Sequence, residues 1–96
     1  SIPQYYMIRQ SVRYAGRLTR AKIDSVARGL RKIIGKDSST NVRFGLRISS
    51  DKSWILVRES GTEPVIRVTV ESKDPSEARR IMKETLRLLR LVLSRA

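Results

Sequence analysis

Apolar residues recur in this chain at two different spacings, and the switching between them restricts the fold more than any other feature. Residues 5–14 follow a period of two. Tyr6, Ile8, Val12 and Tyr14 share one face, interrupted by Gln10, while Arg9, Ser11 and Arg13 share the other, which predicts a strand. From Thr19 to Ile34 the period lengthens. Ile23, Val26, Ala27, Leu30, Ile33 and Ile34 recur at three- and four-residue intervals, the pattern of a helix that buries one stripe. Thr19 is placed to cap its start and Gly35 to end it in a left-handed conformation, with Gly29 inside at a mild cost. Lys36 to Thr40 reads as a polar loop. Alternation then returns, with Val42, Phe44, Leu46 and Ile48 against Arg43, Gly45 and Arg47. Residues 49–52 suit a hairpin connection, Trp54 to Val57 a further strand, and residues 58–64 a small polar loop. Val65 to Lys73 alternates again, with Ile66, Val68 and Val70 opposed to Arg67, Thr69 and Glu71. A second helix is announced by Asp74 as cap, Pro75 at its first position and Glu77 where a capping-box carboxylate belongs. Ala78, Ile81, Met82, Leu86, Leu89, Val92 and Leu93 form its stripe.

The expected order is therefore strand, helix, three strands, helix. An α+β fold, with a four-stranded antiparallel sheet and both helices on one of its faces, buries every apolar stripe together. Ninety-six residues fit a single domain spanning 1–96, and neither a linker nor an internal repeat divides them. The absence of an initiating methionine makes a fragment of a larger protein, or a processed product, the expectation. No apolar run approaches the ~20 residues that cross a bilayer, and the start Ser1-Ile2-Pro3-Gln4 carries no signal-peptide pattern.

Composition removes several chemistries. The chain has no cysteine, hence no disulfide, thiolate metal site or cysteine nucleophile, and this suits a cytoplasmic location. It has no histidine, the side chain best suited to proton transfer near neutral pH. With 21 basic and 9 acidic residues, the net charge of +12 favours anionic partners: phosphorylated metabolites, nucleic acid or acidic lipid. The same charge also serves simply to keep a surface soluble.

Functional side chains concentrate between Arg58 and Arg67, in the run Arg58-Glu59-Ser60-Gly61-Thr62-Glu63-Pro64-Val65-Ile66-Arg67. Arg58 leaves a strand end with a planar fork of donors that fits two phosphate oxygens. Ser60 and Thr62 add hydroxyls. Gly61 lets the backbone approach an anion closely, Pro64 stiffens the exit, and Arg67 adds a second charge if its face turns towards the loop. Glu59 and Glu63 oppose an anion, so they must turn away or pair with Arg58 or Arg67. Ser, Gly, Thr and Pro are also ordinary turn residues, and an arginine at a strand end is often merely solvated.

The run from Leu56 to Val68, RxSGTEPxxR at its centre, resembles the signature loop of the alpha-D-phosphohexomutase family, which includes phosphoglucomutase, phosphomannomutase and phosphoglucosamine mutase. The continuation Thr69-Val70-Glu71-Ser72-Lys73-Asp74 and the start Pro3-Gln4-Tyr5-Tyr6 are similar to the same family. The resemblance implies its C-terminal domain, a four-stranded antiparallel sheet with two helices. It implies that Arg58, Ser60, Gly61, Thr62 and Arg67 grip the non-reacting phosphate of a hexose phosphate, and that Glu63 and Pro64 shape the loop. Glu59 departs from the proline or small residue often found there. In the complete enzymes a phosphoserine donates a phosphoryl group, a bisphosphorylated sugar forms and turns over, and magnesium assists. Phosphoserine, metal and sugar-selecting loops of the family type are absent from this sequence. The resemblance thus implies no catalytic residue and no cofactor in this domain, magnesium in the full-length enzyme, and the enzyme's other domains as partners, with neither nucleic acid nor membrane. Its alternative is a small basic nucleic-acid-binding α+β module, for which Ile34-Gly35-Lys36-Asp37 offers half of a Gly-x-x-Gly clamp. Trp54 and Phe44 sit on apolar patterns and are expected in the core rather than stacked on bases.

Overall fold

The computed structural model describes residues 4–35, 37–42 and 45–95. The elements run β1 (Tyr6–Arg13), α1 (Arg20–Ile34), β2 (Ser39–Asn41), β3 (Leu46–Ser49), β4 (Ser53–Glu59), β5 (Val65–Ser72) and α2 (Pro75–Leu93). All strand pairs are antiparallel, and the sheet order is β1-β5-β4-β3-β2. The first strand in sequence thus lies beside the last, and β5 becomes central.

The sheet has five strands where the alternation predicts four. The difference lies in residues 36–49. Ser39 and Thr40, expected in a polar loop, pair with β3 together with Asn41, through Ser39↔Ser49, Thr40↔Ile48 and Asn41↔Arg47. A three-residue exposed edge strand buries nothing, so it leaves no apolar alternation to read. Val42, expected on the buried face, is 63% exposed and follows the end of β2. Arg43 and Phe44 of the same stretch, like Pro3 and Lys36, lie outside the described residues.

Both helices pack on one face of the sheet, α2 against β1 and β5, α1 against β3 and β4, and each against the other. The core between the layers holds Val26 and Leu30 from α1, Leu46 and Ile48 from β3, and Ile55 and Val57 from β4. Ile66, Val68 and Val70 from β5 join them, with Ala78, Ile81, Met82, Leu89 and Val92 from α2. Apart from Ile55 and Val57, which were read only within the apolar run Trp54 to Val57, these are residues picked out by period, because a stripe of either spacing is stable only when it faces another.

The helix ends follow their capping residues. Thr19 Oγ1 accepts from the Lys22 amide at 3.2 Å. Gly35 donates its N–H to the Arg31 carbonyl at 2.8 Å, at φ +131° and ψ 165°: positive φ, as a glycine permits, though with an extended ψ rather than the expected left-handed helical one. At α2, Asp74 Oδ1 accepts from both the amide and the hydroxyl of Ser76 at 2.9 Å. Glu77, expected to close a capping box, instead pairs with Arg80, which also reaches Glu84 and the Ile33 carbonyl at the end of α1. Gly29 has a packing reason: a Cβ there would lie 2.5 Å from a Leu88 methyl, so the glycine allows α1 and α2 to approach.

Candidate functional site

β4 and β5 form the hairpin that carries the run from Arg58 to Arg67. Their register places Arg58 directly opposite Arg67 and Glu59 opposite Ile66. Val57, Ile66 and Val68 point into the core, so the pleat sends Arg58 and Arg67 to the face of the sheet that the helices leave open. Two arginine side chains thus rise from directly opposed positions, and like charges so placed repel. Arg58 has no hydrogen-bonding or ionic partner among the described residues. Arg67 reaches Glu63 Oε1 at 3.4 Å, through an exposed pair.

The turn at residues 60–64 is organised by Ser60. Its amide donates to the Val65 carbonyl at 3.0 Å, and its Oγ accepts from the amides of Thr62 (3.3 Å) and Glu63 (3.2 Å). Ser60 Oγ and Thr62 Oγ1 lie 3.5 Å apart. The Gly61 amide makes no hydrogen bond among the described residues. A Cβ added at Gly61 would meet nothing within 4 Å, and its φ is not positive, so neither the fold nor the backbone requires glycine there.

Three contacts from outside the hairpin hold the turn. The Tyr14 amide donates to the Pro64 carbonyl at 2.8 Å. The Leu18 amide donates to Glu59 Oε1 at 2.7 Å, which ties the start of the turn to the connection between β1 and α1. Glu59 faces the helix side, so its charge is turned away from Arg58 and Arg67. Gly45, at φ +123°, presses against the arginine: a Cβ there would fall 2.9 Å from Arg58 Cβ and 3.0 Å from the Val57 carbonyl oxygen.

The expected phosphate-gripping residues are brought together in part. Arg58 and Arg67 share a groove of about 480 Å³ on the open face, lined also by Arg9, Ser11, Leu56 and Thr69. Ser60 lines a separate recess of about 180 Å³ with Glu59, Glu63, Pro64 and the Tyr14–Gly16 backbone region. Gly61 and Thr62 line neither. Sequence reasoning placed Arg9 and Ser11 on the correct strand face but assigned them no role. Their nearness to Arg67 follows from β1 pairing with β5, Ser11↔Arg67 and Arg9↔Thr69, and strand order is not written in a periodicity.

Trp54 corrects another expectation. It stands on the open face opposite Glu71, to whose Oε1 it donates at 3.1 Å, and not in the core. The Arg47 guanidinium covers its ring at 4.4 Å from the centroid, so the indole is occupied rather than offered to a base. No group of three or more Asp, Glu, His or Cys side chains is placed to hold a metal ion among the described residues. No helix among the described residues is long and apolar enough to cross a membrane.

The fold is thus an α+β domain with one open sheet face, on which two directly opposed arginines stand beside a serine-organised turn. The chain belongs to the phosphoglucomutase/phosphomannomutase C-terminal domain family, whose model matches residues 13–88. It is similar to phosphoglucosamine mutase of Methanococcus maripaludis strain C7, with 32% identity over 93 residues, covering 97% of this chain and 20% of that protein. The strain C5 protein of the same name is 38% identical over 82 residues, covering 85% and 18%. The probable phosphoglucosamine mutase of Methanothermobacter thermautotrophicus is 40% identical over 85 residues, covering 88% and 19%. The chain thus spans about a fifth of the length of these relatives.

Proposed function

We propose that residues 1–96 act as one domain that holds the non-reacting phosphate of a phosphorylated hexose within a phosphosugar mutase. The observation that carries this reading is the Arg58–Arg67 pair: two like charges held opposite each other, one unpartnered, beside a turn with a free Gly61 amide. A dianion between them turns repulsion into attraction, and each charge-assisted hydrogen bond contributes about 1.5–3 kcal/mol. Gly61 supports the same reading, since the space beyond it is open and its lack of a side chain leaves room for a ligand. Arg58, Ser60, Gly61, Thr62 and Arg67 are the proposed contacts, with Glu63 and Pro64 shaping the turn. Because the arginine groove and the Ser60 recess are separate, binding is accompanied by closure of residues 60–62 over the anion.

The domain fixes one end of the substrate and supplies no proton transfer or nucleophile. The remaining domains of a full-length cytoplasmic enzyme would bring the phosphoserine, and the sugar would travel through a bisphosphorylated intermediate. Magnesium finds no ligand set among the described residues and enters no step assigned to this chain. The names of the relatives favour a phosphorylated glucosamine as the sugar.

The test is a titration of the 96-residue chain with a hexose monophosphate, followed by amide chemical shifts. Residues 58–67 should move and little else. Shifts scattered over the basic surface, or none in the turn, would remove the reading.

A further inference from the structure

The open face of the sheet carries more positive charge than a single phosphate uses. Arg9 and Arg13 on β1, Arg67 on β5, Arg58 on β4 and Arg47 on β3 all project from it. Arg67 has Glu63 and Arg47 has the Trp54 ring, but Arg9, Arg13 and Arg58 have no partner among the described residues. Three of the five, Arg9, Arg58 and Arg67, meet in the groove on this face, and none of its lining residues is acidic. Ser11 and Thr69 add two hydroxyls to it, neither of which is hydrogen-bonded among the described residues.

Register fixes the arrangement. Arg58 is directly opposite Arg67, with Cβ atoms about 5 Å apart as in any such pair. Arg9, two residues from Ser11, is the diagonal neighbour of Arg67, at roughly 7–8 Å. The groove therefore has two basic ends. One adjoins the turn at residues 60–64, and the other lies across β5, on the edge strand.

We propose that the β1 end of this groove, formed by Arg9, Ser11 and Thr69, is a second anion subsite that takes the second phosphoryl group of a bisphosphorylated sugar. This rests on the reading of residues 58–67 as the first phosphate site. The subsite has a use in that scheme. A bisphosphorylated intermediate would have to turn over before it returns a phosphoryl group, and during that interval its second phosphoryl group lies away from the group that transferred it. A basic groove beside the loop keeps it on the domain through that interval.

The experiment compares a hexose monophosphate, a hexose bisphosphate and inorganic phosphate on the 96-residue chain and on its Arg9→Gln and Arg58→Gln variants, by calorimetry and amide shifts. Arg9 is exposed and unpartnered, so its replacement leaves folding intact, and an unchanged thermal midpoint verifies this. The expected result is a bisphosphate affinity about tenfold above that of the monophosphate. Arg9→Gln abolishes the advantage without changing monophosphate binding, Arg58→Gln weakens both ligands, and the amides of residues 9–11 and 69 respond only to the bisphosphate. Equal affinities in the unmodified chain, or an advantage that survives Arg9→Gln, would overturn the proposal. So would inorganic phosphate filling the groove beside bound monophosphate with no bisphosphate advantage, which assigns the groove to the free ion. An Arg9-dependent bisphosphate preference without shifts at residues 60–62 would support the subsite while overturning the reading of the loop.

Discussion

The two ends of the β4–β5 ladder are built to opposite specifications. At one end Ser53 and Ser72 face each other, both buried, and their hydroxyls bond at 2.8 Å. Ser72 Oγ also accepts from the Asp74 amide at 3.4 Å, and Asp74 in turn caps α2. Each polar group there has its partner inside the chain. At the other end Arg58 and Arg67 face each other across the same ladder with one weak exposed ion pair between them and the turn. A self-satisfied end contributes to stability. An end left electrostatically unbalanced contributes little.

The largest effect should come from Arg58→Ala. It is expected to weaken phosphate binding by roughly thirtyfold or more, about 2 kcal/mol or above, while the thermal midpoint stays level or rises because a like-charge contact is removed. Calorimetric titration and a melting curve on the same sample check both halves. A fall in stability without a fall in affinity would erase the contrast between the two ends. Next is Ser72→Ala, which strands the buried Ser53 hydroxyl and loosens the tether to Asp74. It should cost about 1–2 kcal/mol in denaturant unfolding and leave phosphate binding unchanged.

How much of this was legible depends on whether a residue is governed by its neighbours in sequence or by those in space. The stripes of α1 and α2 and the alternation of β5 come from local period, and the buried set follows them closely. Thr85 is an exception: fully buried in the α2 stripe, its hydroxyl has no hydrogen-bond partner among the described residues, and nothing in a threonine announces that. Ser39–Asn41 became a strand because β3 offered an edge, not because its residues alternate. At the site, Arg58, Ser60 and Arg67 were readable because the turn is local. Their pairing across the hairpin followed from register, and the approach of Arg9 and Gly45 from strand order and close packing. Glu59 was readable only as a charge that had to turn away or pair with Arg58 or Arg67; the Leu18 amide that donates to it lies 41 residues distant.

At the satisfied end, acidity offers a further probe. The Ser76 hydroxyl, followed by the Ser76 amide, holds the Asp74 carboxyl below the ordinary carboxylate range. A folded-state value below the unfolded one means that the folded chain binds its proton less readily. The contribution is therefore complete above the unfolded pKa, near pH 4, and fades as pH falls through the folded value. Asp74→Ala should accordingly lower the thermal midpoint at pH 7, and the gap to the unmodified chain should narrow below pH 4. A gap that persists in acid would mean that the carboxylate is not what caps α2.

The smallest expected change is also the sharpest on the unbalanced end. Among the described residues Glu63 is the one acidic side chain that reaches Arg67, and an exposed pair of this kind is worth about 0.5 kcal/mol. Phosphate must displace it to use the guanidinium fully. Glu63→Gln should therefore tighten phosphate binding about two- to threefold, with stability nearly unchanged and the gain shrinking as salt is raised. The Glu63 amide bond to Ser60 Oγ is untouched by the substitution, so the turn keeps its shape. If binding weakens instead, Glu63 orients Arg67 for the ligand rather than competing with it, and the imbalance at this end is smaller than the register of the two arginines implies.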